Sequence, residues 1–207
     1  MKTKLFIFIL LSVGLTSCSL FYPLNTQVDE FKHTTKTTLE IGLKPTDYFI
    51  NNVISTDITF EKCISESAET FNAYFVLNRN SSSFKLDKTC YLKAFGKSYE
   101  IVIENQETVN RSQFVSMTQS SSVKDSTKVK TESKTMSNSY DYYEEKFFIR
   151  FTPEMIESFK KTDELIFRFY LGPKQATFRI YGTPLKRVKT LIDIKNVSDD
   201  RSKATIN

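Results

Sequence analysis

The chain has 207 residues, of which 40% are hydrophobic, 14% are aromatic and 26% are charged, and its formal net charge is +5. Eighteen phenylalanines and ten tyrosines provide enough apolar surface for a folded core, which excludes a wholly disordered chain. Only the first fifteen residues contain a long apolar run, which excludes a multi-span membrane protein.

The N-terminal segment has the pattern of a cleaved signal peptide. Lys2 and Lys4 precede an unbroken apolar run at residues 5–11, and small residues follow it. That run is too short to cross a hydrocarbon core of roughly 30 Å at about 1.5 Å per residue. We therefore expect a secretory signal peptide that is removed from the mature chain.

The motif Leu15-Thr16-Ser17-Cys18 resembles the lipobox of bacterial lipoproteins, which is Leu, two small residues and Cys. The resemblance implies a diacylglycerol on Cys18 and cleavage just before it, so that residues 1–17 are removed and the mature chain begins at Cys18. It also implies a lipid anchor in the membrane of the cell envelope. Because Ser19 rather than Asp follows the cysteine, similarity to enterobacterial sorting rules implies the outer membrane, facing the periplasm. The alternative is an ordinary signal peptide cleaved nearby, for instance after Ser19.

The charge of the mature chain excludes a nucleic-acid partner. Removal of Lys2 and Lys4 with the signal peptide lowers the net charge from +5 to +3. A nucleic-acid-binding protein normally has a denser basic face. Five glycines, one histidine and no glycine-rich turn between a strand and a helix indicate neither a cofactor nor a metal site.

Cys63 and Cys90 are the two cysteines that remain once Cys18 is assigned to the lipid. An even pair in an oxidising compartment predicts a disulfide. It would close a loop of about 28 residues and stabilise the fold by about 3.5 kcal/mol. The alternative is two buried free thiols, since His33 is the only imidazole available for metal or thiol chemistry.

In chain order, residues 18–37 are polar and predict a tether, and a β-rich globular domain follows at 38–195. Strands are predicted around Ile58 and Phe60 and over 70–77, and a hairpin is predicted over 89–95 and 98–103. Residues 116–139 contain eight Ser, four Thr and four Lys, which predicts an exposed polar loop, an over-long hairpin or a boundary between subdomains. Within it, Ser126 lies in Asp125-Ser126-Thr127, which resembles a bacterial O-glycosylation signal.

The C-terminal part predicts a strand at 146–151, a helix capped by Thr152, two strands at 164–171 and 175–181, and a second helix capped at Thr183. Residues 196–207 predict a polar tail. The fold class is α+β, with an antiparallel β-rich domain and two short C-terminal helices. An all-β sandwich is the alternative.

One constellation in the last two strands suggests a binding site. Pairing Phe169 with Phe178 would set Arg168 opposite Arg179 and bring like charges together. A small anion or a partner carboxylate would relieve the repulsion. The candidate site residues are Arg150, Arg168, Arg179, Tyr170 and Tyr181. The alternative is a solvated sheet face, with acids such as Glu164 or Glu145 compensating the charge.

Three classes of function remain. The first is a non-enzymatic envelope lipoprotein that binds another envelope protein or a glycan, or serves assembly. The second is a lipoprotein that captures a small molecule or glycan on the arginine face. An envelope hydrolase is the least supported, because no Gly-x-Ser-x-Gly or Ser-x-x-Lys motif has a convincing context.

The run at residues 140–145 is acidic and aromatic. It could contact a sugar or a partner protein, and the alternative is that it only begins a strand beside a loop.

Overall fold

The structure, a computed structural model, describes residues 22–46, 53–80, 84–125 and 128–195. Within these ranges the chain forms ten strands and two helices. In chain order they are β1 (Leu24–Asp29), β2 (Thr34–Leu43), β3 (Val53–Ser65), β4 (Glu69–Asn80), β5 (Thr89–Ala94), β6 (Lys97–Val102), β7 (Glu104–Asp125), β8 (Lys128–Arg150), α1 (Pro153–Lys161), β9 (Glu164–Leu171), β10 (Lys174–Tyr181) and α2 (Gly182–Asp193).

The strands form two antiparallel sheets, which confirms the predicted α+β, β-rich class. The six-stranded sheet has the order β1-β2-β3-β4-β8-β7, and the four-stranded sheet has the order β10-β9-β5-β6. Each sheet combines strands from both halves of the chain. The predicted hairpin of β5 and β6 is confirmed, with Ala94 paired to Lys97.

Aromatic rings from both sheets form one core. Phe75 of β4 stacks on Phe147 of β8 at 5.0 Å between ring centroids. Phe75 also meets Phe167 and Phe169 of β9 edge-on, each at 5.4 Å. All four side chains are at most 3% exposed. The two sheets are therefore joined by interlocking rings, an arrangement in which edge-on pairs add to the hydrophobic contribution.

Helix α1 begins as its sequence predicts. The side chain of Thr152 accepts a hydrogen bond from the Met155 N–H at 3.4 Å, and Pro153 occupies the first turn. Phe159 is fully buried, with its ring 5.0 Å from that of Phe151. The helix thus covers one end of the core.

Helix α2 begins differently from the prediction. Its N-cap is Tyr181, which makes no side-chain capping hydrogen bond, and Gly182 supplies a positive φ of 62°. The predicted cap at Thr183 is therefore wrong, because the turn after β10 is made by the glycine. The helix packs on the core through four buried residues: Leu185, Val188, Leu191 and Ile192.

A lysine inside the core holds the other end of α2. Lys62 of β3 is 3% exposed, and its Nζ donates to the carbonyl oxygens of Ile192 and Ile194. The same Nζ lies 2.9 Å from the Glu69 carboxylate. A cation at a helix C-terminus satisfies carbonyls that have no partner within the helix and complements the helix dipole.

The segment predicted as a tether is folded over most of the described part. Residues 24–29 form β1, and residues 34–37 begin β2. Thr37, Leu39 and Ile41 alternate as buried positions of β2. A threonine-rich run therefore pairs as a strand here, since β-branched residues favour extended backbone.

Candidate functional site

The main candidate site is a long two-stranded hairpin. Strands β7 and β8 pair with each other from Glu104↔Phe148 to Asp125↔Lys128. Strand β8 pairs with β4 only from Tyr142 to Arg150. Fourteen residues of β7, from Ser112 to Asp125, therefore pair with residues 128–141 and with no other described strand.

We call this two-stranded part, residues 112–125 and 128–141, the arm. At about 3.3 Å per residue its strands run for roughly 45 Å beyond the sheet. The long polar segment thus forms the over-long hairpin that the sequence left open. The arm residues whose side chains are described, at 112, 113, 116, 118 and 137–141, are all exposed.

A buried ion pair lies at the base of the arm. Arg79 and Glu145 are 3% and 0% exposed, and Arg79 Nε donates to Glu145 Oε1 at 2.8 Å. The other carboxylate oxygen accepts from Thr108 Oγ1 at 2.8 Å and from Gln106 Nε2 at 3.2 Å. The Arg79 guanidinium also lies 4.4 Å from the centroid of the Tyr143 ring. Both oxygens of the buried Glu145 carboxylate therefore have hydrogen-bond partners, as a buried charge requires.

Polar contacts continue across the two strands above the base. Arg111 Nε donates to the Glu144 carboxylate at 3.0 Å, and the Ser112 hydroxyl donates to Asp141 at 2.5 Å. The predicted acidic and aromatic run at 140–145 lies in this region, on β8. Its members differ in exposure, since Tyr140 is 44% exposed and Glu145 is internal.

The predicted arginine pairing is wrong. Strands β9 and β10 are joined at Leu171↔Lys174, which sets Phe178 opposite Phe167 and Arg168 opposite Thr177. This register differs by two residues from the expected one. Arg168 Nε donates to Thr177 Oγ1 at 3.4 Å, which is a weak bond.

The remaining members of the predicted site lie apart or have other partners. Arg150 belongs to β8 in the six-stranded sheet, near Glu104 at 3.6 Å, and does not share the face of β9 and β10. Arg179 pairs with Glu164 at 3.2 Å, as the solvated-face alternative expected. Tyr170 meets the Tyr91 ring edge-on at 5.8 Å. The predicted anion site is therefore not assembled by these residues.

The predicted disulfide is absent, because Cys63 and Cys90 are both free thiols. Cys90 is fully buried in the core of the four-stranded sheet. Cys63 alternates with the buried positions Lys62 and Ile64 and is partly exposed, so it points to the outer side of the six-stranded sheet. A bond would have to cross that sheet. Burial raises the pKa of the Cys90 thiol to about 12.

A second candidate is an open groove of about 610 Å³ where the described chain begins. Tyr22, Tyr181 and Leu43 provide apolar lining, and Lys44 and Arg179 provide positive charge. Tyr181, from the predicted site, is 64% exposed here.

Comparison with family models, curated proteins and solved structures found no match to this chain. In the described ranges, no helix is long and apolar enough to cross a membrane. The described part also holds no group of three or more His, Cys, Asp or Glu arranged to bind a metal ion. The predicted lipidation at Cys18 and glycosylation at Ser126 lie outside the described residues.

Sequence reasoning missed the base of the arm. Arg79 lies one residue before the end of β4, and its partner Glu145 lies 66 positions later in the chain. Arg79 has an asparagine on each side, and Glu145 lies between Glu144 and Lys146, so neither residue differs from its polar neighbours in the sequence. The pairing becomes visible only when β4 and β8 are placed side by side.

Proposed function

We propose that this protein is a lipid-anchored component of the bacterial cell envelope with a non-enzymatic binding or assembly role, and that it presents its arm to a partner protein. The observation that carries the proposal is the projection of fourteen paired residues per strand beyond the sheet. An isolated two-stranded hairpin is marginally stable in water, so an arm of this length gains from a partner.

The arm also offers a means of recognition. Its outer edges present backbone N–H and C=O groups without a neighbouring described strand. Such edges pair readily with an extended segment of another chain, which is a common mode of protein recognition. The buried Arg79–Glu145 pair supports the proposal by holding the base of the arm in one arrangement.

The location is tested by the intact mass of the protein extracted from membranes. A mass that begins at Cys18 and includes two or three acyl chains is the expected result, since acyl chains of that number anchor a protein stably. An unlipidated mass beginning at another residue would remove the anchor from the proposal.

The role of the arm is tested by shortening it without changing its register. Ser116 and Ser137 are paired, so residues 117–136 can be replaced by Asn-Gly, which favours a two-residue hairpin turn. We expect the variant to keep the melting temperature of the body within a few degrees. In native gels of detergent-extracted envelope, it should migrate as the isolated protein, whereas the unaltered chain migrates in a larger complex.

A matched control is Val102→Ser, which changes an exposed apolar residue on β6, an edge strand of the other sheet. This variant should retain the larger complex. The proposal is wrong if the shortened arm also retains it, or if the unaltered chain forms none.

The groove at Tyr22 favours a second candidate, capture of a small anionic molecule or glycan. Its volume lies within the range of about 300–1,000 Å³ usual for ligand sites, and it combines Tyr181 with Arg179. A soluble sugar or carboxylate that raises the melting temperature of the unaltered chain but not of Tyr181→Ala would support it. No shift across such a panel would exclude it.

A further inference from the structure

The start of the described chain is attached to helix α2. The Tyr22 carbonyl oxygen accepts a hydrogen bond from Arg187 Nε at 2.9 Å. Tyr22 and Leu24 are partly buried and pack against the core. The chain is thus held at a defined place on the body from Tyr22 onward.

Only three residues separate Cys18 from Tyr22. Four residue steps of fully extended chain span at most about 14 Å. An acyl chain on Cys18 would therefore bring Tyr22 and the adjoining part of α2 to within about 14 Å of the membrane surface. The short distance restricts which side of the body can face the bilayer.

The side of the body that contains Tyr22 and the adjoining part of α2 is positively charged. Lys44 and Arg179 line the groove together with Tyr22. Lys186, Arg187 and Lys189 belong to the exposed or partly exposed side of α2. We call these five residues the α2 surface.

These basic residues do not lie where they would stabilise helix α2 through its dipole. Helix α2 has no acidic residue in its first turn and no basic residue in its last turn, so its own end turns carry none of the charges that complement a helix dipole. Part of this charge has an acidic neighbour among the described residues. Glu164 pairs with Arg179, and Asp193 lies at the far end of α2.

We propose that the α2 surface is the membrane-facing side of the protein and contacts the headgroups of anionic phospholipids. The inference rests on the proposed lipid anchor, which limits the distance between Tyr22 and the membrane surface. The positive charge of the α2 surface is a property of the folded body. Basic side chains close to an anionic membrane are attracted to it, each contributing roughly a fivefold gain in binding. Tyr22 and Tyr181 border this surface, and tyrosine suits the boundary between apolar and aqueous phases.

The test separates the surface charge from the anchor. The probe is vesicles of phosphatidylcholine with or without phosphatidylglycerol, and the protein is the chain from residue 18 onward with Cys18→Ser. We expect sedimentation with the phosphatidylglycerol vesicles at low salt and its loss at high salt. The double variant Lys186→Glu/Lys189→Glu should reduce vesicle binding at least about tenfold.

The control is Lys85→Glu/Lys88→Glu, which makes the same change in net charge. Both lysines are exposed and lie beside the β9–β10 turn, since the Asp87 N–H bonds to the Tyr170 carbonyl. That turn is at the opposite end of β10 from α2. The control should change binding less than about threefold. Equal losses of vesicle binding in both variants would mean that net charge alone is responsible, and would overturn the proposal. Equal binding to vesicles with and without phosphatidylglycerol would also overturn it.

A second measurement uses the acylated protein in the same vesicles. Reaction of lysines with an acylating reagent should be slowed at Lys186 and Lys189 by phosphatidylglycerol and unchanged at Lys85 and Lys88. If all four lysines of the folded protein react equally fast with and without phosphatidylglycerol, the membrane-facing assignment is overturned. Because the intact mass alone tests the acylation of Cys18, failure of the anchor and failure of this surface are distinguishable.

Discussion

Three charged side chains, Lys62 of β3, Arg79 of β4 and Glu145 of β8, lie where the strand pattern would place apolar ones. Lys62 and Glu145 occupy core-facing positions of β3 and β8 and are 3% and 0% exposed. The Lys62 ammonium group donates to carbonyl oxygens, and the Glu145 carboxylate pairs with the Arg79 guanidinium. Burial of a charge is tolerated only with such partners. These residues therefore fix the end of α2 and the base of the arm rather than enlarging the core.

The two thiols should differ sharply in reactivity. At pH 8 a thiol whose pKa is raised to about 12, as in Cys90, has a thiolate fraction of roughly one in ten thousand. In the folded Cys18→Ser chain without reductant, we expect iodoacetamide to modify Cys63, which is partly exposed, and to leave Cys90 unmodified. Peptide mass analysis identifies the site. Both should react in urea, and protection of both thiols in urea without reductant would instead show the disulfide that the sequence predicted.

Residue-scale reasoning from the sequence succeeded where the signal is local. The Thr152 cap depends on neighbours within a few positions, as do the turns between the predicted strand pairs, which lie at Gly96 and Gly172, and all are present in the structure. The arginine pairing failed because its register was inferred from matching aromatic residues. A two-residue loop fixes the pairing at Leu171↔Lys174, and every later pair follows from it.

At the scale of elements, two glycine turns provide a matched comparison. Gly172 has φ of +59°, and an added Cβ would lie 2.8 Å from Phe84 Cγ. Gly96 has φ of +75° with no atom within 4 Å of that position. Gly96→Ala should cost about 1 kcal/mol from backbone strain alone, whereas Gly172→Ala should cost about 2–4 kcal/mol because the clash adds to it. Urea unfolding measures both, and equal costs would show that Phe84 moves aside freely.

The arm shows why elements of this kind escape sequence analysis. Residues 116–139 have the composition of a polar loop, and that composition gives little indication of pairing. The strands continue there because β7 and β8 are already aligned at their base by the body. Position along the sheet, rather than local preference, therefore determines the extended form. The folded β1 and β2 escaped for a related reason, since β1 pairs with β2, and β2 in turn pairs with β3, which lies later in the chain.

At the scale of the whole molecule, the shared core predicts a single cooperative unit. Phe75 belongs to the six-stranded sheet but meets Phe167 and Phe169 of the four-stranded sheet. Phe75→Ala should therefore lower the free energy of unfolding by about 3–5 kcal/mol. In native-state hydrogen exchange the slowest amides of β3 and β9 should lose protection equally, because both open only when the common core opens.

The neighbouring residue is the control for this prediction. Tyr74 is 45% exposed on the outer side of the same strand, where it meets Phe148 at 4.9 Å between centroids. Tyr74→Ala should cost about 1 kcal/mol, since it removes a surface contact and leaves the rings between the sheets in place. If Phe75→Ala weakens β3 while β9 keeps its protection, the sheets unfold separately. Equal loss would mean that the two sheets open together as one cooperative body, so that a change in the core of one sheet alters the opening of the other.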